Sequence, residues 1–182
     1  MSCCGLETER LLLRKPEEAD VPAITAMIGD WDVVKNLATA PYPYLEEHAR
    51  QFIARIAEGR ATGESQVFAI TRKPDGAYMG TIGLHLRDGA FEIGYWLGKP
   101  YWGQGFMTEA VACALDLAFR PSERSVVLTT TDPANKGSQN VLRKSGFTYL
   151  GIFPRRVTGL RGAAEETRWE LRRESHTKRV IS

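Results

Sequence analysis

The sequence predicts one α/β domain, α and β mixed, in which a central and mostly antiparallel sheet carries helices on both faces. Three observations lead there. With 182 residues, 43% apolar and 25% charged, the chain has the length and composition of a single globular domain with a proper core. Strand-period and helix-period patterns follow each other in the order β-α-α-β-β-β-α-β-α-β-β, with a meander in the middle. No internal repeat and no Gly/Ser or Pro linker divides the chain, so one domain over 1–182 is expected, with a core over about 8–174 and a basic tail over 175–182.

The elements follow in order. Arg10 to Arg14 reads as a first strand, and Pro16-Glu17-Glu18 opens a helix with Val21, Ile24 and Ile28 on one face. A short helical piece covers Asp30 to Leu37. The prolines of Ala40 to Tyr44 forbid its continuation, because each removes a donor and pushes its predecessor into an extended shape. The next helix begins near Leu45, with Ala49, Phe52, Ile53 and Ile56 inward and Glu46, Arg50 and Arg55 outward. Strands over Val67–Arg72, Gly80–Arg87 and Phe91–Leu97 are separated by the turns Pro74-Asp75-Gly76 and Asp88-Gly89. Met107 to Phe119 is apolar nearly all round and is expected to be sandwiched. Ser125–Thr131 is a strand, and Asn135–Ser145 a short helix stopped by Gly146 at C′. Phe147–Phe153 and Glu165–Leu171 close the chain as a strand pair.

Composition excludes several classes. Net charge is +2, with 16 basic and 18 acidic side chains over 1–154 and 8 basic and 4 acidic over 155–182. The basic end lacks the interleaved aromatics of a single-strand binder and reads as a solvated edge, so no nucleic-acid partner is expected. Three cysteines, Cys3, Cys4 and Cys113, match neither a disulfide framework nor a zinc pattern; Cys113 is expected in the core, and no metal is expected. No stretch approaches the ~20 apolar residues of a spanning helix, and the charged start is no secretory signal. A cytoplasmic protein without membrane partner is the expectation.

The chemistry is expected in Gly94 to Ala110, G-Y-W-L-G-K-P-Y-W-G-Q-G-F-M-T-E-A: a strand, a loop with Gly103 and Gly105, then a helix. Glycines let a backbone approach a ligand, and a helix N-terminus offers unpaired N–H groups with partial positive charge, so the segment can cradle a diphosphate. The P-loop pattern G-x-x-x-x-G-K-[ST] is absent. A dinucleotide fingerprint would need a third glycine where Thr108 stands and an early parallel βαβ unit. Coenzyme A is the third reading, beside a tight turn with no ligand.

The blocks T-E-R-L-L-L-R-K-P (Thr8–Pro16), P-Y-P-Y (Pro41–Tyr44), E-I-G-Y-W-L (Glu92–Leu97), W-G-Q-G-F-M-T-E-A (Trp102–Ala110) and N-K-G-S-Q-N-V-L-R-K-S-G-F (Asn135–Phe147) occur in this order. With them the chain resembles the GNAT superfamily of acetyl-CoA-dependent N-acetyltransferases and, more narrowly, the ribosomal-protein N-terminal (Rim-type) acetyltransferases. Pro100 stands where the general superfamily loop begins with Gln or Arg, a residue that the Rim-type branch often lacks. The resemblance implies acetyl-CoA as cosubstrate. It implies the diphosphate on the N–H groups of Gly103, Gln104, Gly105, Phe106, Met107 and Thr108, and pantetheine along the main chain near Trp96 and Leu97, a strand that must splay from Val126–Thr131. It further implies a pantetheine contact from Asn135 and places Ser138 near the sulfur. Trp102 is assigned to the same site, with packing over the loop as its alternative. For Asn135 and Ser138 the alternative is helix capping, and Glu109 is read as structural because an acid suits a first helical turn.

Transfer of acetyl from a thioester to an amine requires a neutral amine near the carbonyl and stabilisation of the developing charges. An α-amine, with pKa about 8, needs only a modest base or a water chain, whereas a lysine at ~10.4 demands more. Strand alternation puts Phe91, Ile93, Tyr95 and Leu97 on one face and Glu92, Gly94 and Trp96 on the other. Glu92, beside small and aromatic residues where desolvation would raise its pKa, is the first candidate base; His85 and a water chain are the alternatives. Ser138 is the candidate acid, or hydrogen-bond donor, for the leaving thiolate. An N–H of Phe91–Leu97 is the expected oxyanion donor. The acceptor site is expected between the Trp31–Tyr44 loop and the Pro154–Glu165 hairpin, which carries Arg155, Arg156 and Arg161 with Gly159 and Gly162. The acceptor is expected to be a protein N-terminal amine such as that of a ribosomal protein. A small amine (amino acid, polyamine or aminoglycoside) is the alternative, and a non-catalytic acyl-CoA-binding module a further one. Homodimers are common among such relatives, and the oligomeric state itself is not legible.

Overall fold

The computed structural model describes residues 5–120, 124–155 and 165–180. Eight strands form one sheet in the order β1-β2-β3-β4-β5-β6-β8-β7, with β1 Leu6–Glu7, β2 Leu11–Arg14, β3 Ser65–Arg72, β4 Tyr78–Arg87, β5 Ala90–Leu97, β6 Val126–Thr131, β7 Thr148–Pro154 and β8 Glu165–Arg172. Every neighbouring pair runs antiparallel except β5 with β6. The helices are α1 Val21–Ile28, α2 Trp31–Val34, α3 Glu46–Thr62, α4 Phe106–Ala118, α5 Lys136–Lys144 and α6 Arg173–Val180.

The meander forms because β3 and β4 are apolar enough to be buried along most of their length and each link carries turn chemistry. Asp88 and Gly89 both have positive φ (48° and 81°), the pair of left-handed residues that a tight hairpin with the sheet's own twist demands. A core lies on each side of the sheet, while the edge strand β7 is largely exposed. One core joins Leu11, Ile70, Ile82, Ile93, Val127 and Trp169 to Phe106, Ala110, Leu115 of α4 and Leu142 of α5. A second, on the other face, joins Ala69 and Tyr78 to Val21, Ile24 and Ile28 of α1 and Ala49 of α3. Each fully buried Leu or Ile contributes about 2 kcal/mol of transfer free energy, so the two layers fix both helical sets against the sheet.

The expected order of elements is present, with four differences. The chain after Pro16 starts as a 3-10 turn, Glu18–Asp20, before α1, and Asp20 is held there by Nη1 and Nη2 of Arg14, which donate to its two carboxylate oxygens. The two-residue strand β1 was too short to leave a pattern. α4 is not sandwiched: Ala112 and Asp116 are exposed one turn apart on its outer face, because a small apolar residue such as Ala112 is as much at home on a surface as in a core. The basic end is not simply a solvated edge, since Arg173–Val180 form α6, in which His176 Nε2 lies 2.8 Å from Asp116 Oδ1 of α4. Cys113 is half-buried at the margin of the first core, where burial pushes its thiol pKa up. Cys3, Cys4, Arg156, Gly159, Arg161 and Gly162 lie outside the described residues. Among the described residues no helix is long and apolar enough to cross a membrane.

Candidate functional site

The parallel pairing of β5 with β6 is confined to Phe91 with Val127 and Glu92 with Leu128. One residue further, the Thr129 hydroxyl donates to the Ile93 carbonyl at 2.8 Å, a side chain bonding where the main-chain ladder stops. From there β5 continues to Leu97 along β4 alone. The sheet therefore opens into a slot bounded by Ile93–Leu97 on one side and the end of β6 on the other.

Strand alternation decides which groups face that slot. The Ile93 carbonyl points to β6, so residues 93, 95 and 97 present their main-chain groups to the open side, while those of Gly94 and Trp96 turn to β4. The Leu97 carbonyl is taken by the Trp102 indole N–H at 2.7 Å. The N–H and C=O of Tyr95 and the N–H of Leu97 thus line the slot. Trp96 reaches the second core through its side chain, beside Tyr78.

At the end of β5 the chain enters the glycine loop. Gly103 and Gly105 have φ of 74° and 82°, the left-handed region that a side chain makes costly. A Cβ on Gly103 would meet nothing within 4 Å. The Gln104 side chain closes the loop on itself by donating to the Pro100 carbonyl at 2.8 Å, and the Trp102 ring is 43% exposed. Phe106 and Met107 send their side chains into the core, which leaves their N–H groups, with that of Thr108, at the N-terminus of α4. Backbone N–H groups thus gather at a helix N-terminus behind two glycines, with the Arg10 guanidinium at the edge, an arrangement able to receive an anion.

The two faces of the slot differ. On the face of α5, Ser138 Oγ lies 3.0 Å from the Tyr95 hydroxyl. Asn135 caps α5, its Oδ1 accepting the Ser138 N–H at 3.1 Å, so the capping role is present; its side-chain NH₂ group is not used by that bond. Burial pushes the Tyr95 phenol pKa well above the ordinary range, so it stays protonated. On the opposite face, Glu92 stands half-buried at the last paired position before the slot, between His85 of β4 and Leu128 of β6. Burial and the charge of Arg87 lower the His85 pKa, which keeps that imidazole neutral near pH 7. Next to this pair Gly83 faces Gly94 across the strands; the side chains of Val67 and His85 close over Gly83, so the open space lies at Gly94. A Cβ on Gly94 would meet nothing within 4 Å. Among the described residues of the expected acceptor loops, Trp31 and Tyr42 form an exposed edge-on pair with centroids 5.2 Å apart. Arg155 is turned inward, 11% exposed, with Nη1 3.8 Å from Asp132 Oδ2.

Three participants were not legible as such. Tyr95 reads in sequence as a core position, and only the tertiary fold brings its hydroxyl to Ser138. Thr129 stands in no motif, and the block around Arg10 does not announce its partners: Arg10 donates through Nη1 to the Gln104 carbonyl at 3.1 Å and stacks on Phe106 at 4.3 Å. Among the described residues no group of His, Cys, Asp or Glu is arranged to hold a metal ion.

The acetyltransferase (GNAT) domain family matches residues 10–148 of the chain. The sequence is 32% identical over 151 residues to an uncharacterized N-acetyltransferase, p20, of Bacillus licheniformis, covering 81% of this chain and 84% of that protein. The fold superposes on Mycobacterium smegmatis RimJ in complex with CoA-disulfide with a TM-score of 0.81 at 20% identity, over 94% of this chain and 88% of RimJ. It superposes on a ribosomal-protein-S5-alanine acetyltransferase from Vibrio fischeri with a TM-score of 0.78 at 20% identity, over 92% and 96% of the two chains.

Proposed function

Since the chain belongs to the acetyltransferase (GNAT) domain family and is an acetyl-CoA-dependent N-acetyltransferase, we propose that it acetylates the N-terminal α-amine of a protein, in the first place a ribosomal protein. The observation that carries the reading is the slot beside β5, with Glu92 on one face and Ser138 on the other. A thioester carbonyl lying in the slot would have an amine approach from the Glu92 side and its sulfur leave on the Ser138 side. The backbone cradle at Gly103–Thr108 holds the diphosphate, and the N–H groups of Tyr95 and Leu97 hold the pantetheine or the carbonyl oxygen.

Glu92 takes the proton of the attacking amine, directly or through water. Ser138 donates a hydrogen bond to the departing sulfur, so the charge that develops there is met in place. A half-buried carboxylate is a modest base, which suits an α-amine of pKa about 8 better than a lysine at about 10.4. The open space over Gly94 gives room for the end of an extended chain. The likeness to ribosomal-protein acetyltransferases supports the same substrate class, and with it a cytoplasmic enzyme.

The test is thiol release from acetyl-CoA with mass-spectrometric identification of products. The acceptors are short peptides with free Ala, Ser or Met N-termini, their N-blocked lysine-bearing counterparts, and small amines. Acetylation confined to free peptide N-termini is expected. Turnover only on small amines would overturn the acceptor assignment and leave the acetyl-CoA site intact, whereas acetyl-CoA binding without turnover on any of them would overturn the catalytic assignment itself.

A further inference from the structure

Ser138 is held at two points that have different consequences. Its main-chain N–H is fixed by Asn135 Oδ1 at 3.1 Å, which is ordinary capping. Its hydroxyl meets the Tyr95 hydroxyl at 3.0 Å, and the same phenol lies 3.4 Å from the Ser138 carbonyl. A phenol has one hydrogen to give, and the shorter contact is to the serine oxygen. Resting on the reading above, in which Ser138 meets the leaving sulfur, we propose that Tyr95 is a positioning residue for that step. Its O–H donates to Ser138 Oγ, so that the serine's own hydrogen is directed away from Tyr95 and toward the sulfur.

The argument is one of direction. A serine hydroxyl rotates freely and either donates or accepts. Had Tyr95 been an acceptor, the serine hydrogen would be spent on it and nothing would remain for the thiolate. Of the two hydroxyls the phenol is the more acidic and so the stronger donor, and at 3.0 Å it reaches the serine oxygen; burial keeps its hydrogen in place. Tyr95 also lines the slot with its main chain, so one residue of β5 ties the pantetheine wall to the N-terminal turn of α5. In the transfer the amine nitrogen forms the C–N bond while the C–S bond breaks with its electron pair on sulfur. The amine proton passes to Glu92, and the sulfur keeps its charge against the Ser138 hydrogen until solvent protonates it. Tyr95 and Ser138 both retain their protons throughout.

The test is a double-mutant cycle of Tyr95→Phe and Ser138→Ala, reading kcat and the KM for acetyl-CoA. Tyr95→Phe removes one oxygen and keeps the ring. It is expected to lower kcat about tenfold, the worth of one aligned hydrogen bond to a developing charge, with the acetyl-CoA KM within about twofold. Ser138→Ala is expected to lower kcat at least as far, and the double variant to match Ser138→Ala alone. A Tyr95→Phe enzyme at the parental kcat, or a Tyr95→Phe loss that persists in full in the Ser138→Ala background, would overturn the positioning role while leaving the Ser138 role standing. Parental kcat for Ser138→Ala would remove the Ser138 role first and this inference with it. Should Tyr95→Phe not fold, 3-fluorotyrosine at position 95 keeps the ring and a more acidic hydroxyl. A change in kcat that disappears in Ser138→Ala then supports the proposal, and no change overturns it.

Discussion

Arg10 and Glu109, 99 residues apart in sequence, are joined twice: the Arg10 main-chain N–H and its Nε donate to the two Glu109 carboxylate oxygens at 2.9 and 2.7 Å. Thr8 donates to the same carboxylate. Through Nη1, Arg10 also reaches the Gln104 carbonyl inside the glycine loop. Glu109 thus does more than suit the helix dipole. It fastens the first turn of α4 to the residues that lead into β2.

This contact carries a pH dependence. Burial pushes the Glu109 carboxyl up, but the hydrogen bonds from Thr8 and from the Arg10 backbone and guanidinium outweigh it and hold its pKa below the ordinary value. A carboxylate lowered on folding adds stability above its unfolded pKa of about 4.3 and loses it as pH falls through the folded value. Glu109→Gln is therefore expected to melt lower than the parent at pH 7, the gap closing below about pH 4. Thermal unfolding of both proteins across pH 3–8 checks it, and a gap independent of pH would contradict it. The same variant is expected to raise the acetyl-CoA KM several-fold with little change in kcat.

Gly105→Val places a β-branched side chain at φ 82° in the loop. The conformation costs about 1–2 kcal/mol for any L residue, and the side chain stands beside Arg10 at the mouth of α4. Calorimetry is expected to show no acetyl-CoA binding by a protein that still folds. Unchanged affinity would remove the loop from the diphosphate site.

Glu92→Gln keeps the shape and removes the base. The loss in kcat is expected mainly below about pH 8, where the acceptor amine is still charged, and to shrink above it. His85 does not supply this limb, since its pKa is lowered from the ordinary histidine value. A mutant-to-parent ratio that stays flat with pH would take Glu92 out of the role.

Gly94 separates acceptor binding from everything else. Because open space surrounds its Cβ position, Gly94→Leu is expected to leave the melting temperature within about 2 °C and the acetyl-CoA KM unchanged. The peptide KM is expected to rise tenfold or more, since about 1.4 kcal/mol of lost contact has that effect. Gly83→Ala is the contrast: its Cβ would stand 2.8 Å from Val67 Cγ2 and 2.9 Å from His85 Nε2, so stability falls as well.

Much of this was legible in the sequence because it depends on local pattern. The alternation along Phe91–Leu97 assigns the two faces of β5 correctly, and Gly103 and Gly105 announce a backbone that needs positive φ. What was not legible depends on contacts distant in sequence. The 43-residue separation of Tyr95 and Ser138 hides a hydroxyl pair, and Thr129 resembles any strand threonine until the place where β6 leaves β5 is known. The inward turn of Arg155 onto Asp132 is of the same kind, as an arginine beside Arg156 at the start of a long hairpin loop gives no sign of a buried partner 23 residues earlier. Short elements such as β1 bury too little to leave a period.

The central claim is that a peptide N-terminus and the thioester meet at the slot where β5 leaves β6. It is tested most directly with a conjugate in which the sulfur of CoA is joined through an acetyl spacer to the α-nitrogen of a peptide, its affinity compared with that of CoA by calorimetry. The account predicts binding roughly 100-fold tighter than CoA, as expected of a ligand that spans both halves of a reaction site, and a return to the affinity of CoA in Gly94→Leu. A conjugate that binds the parent no more tightly than CoA would contradict it.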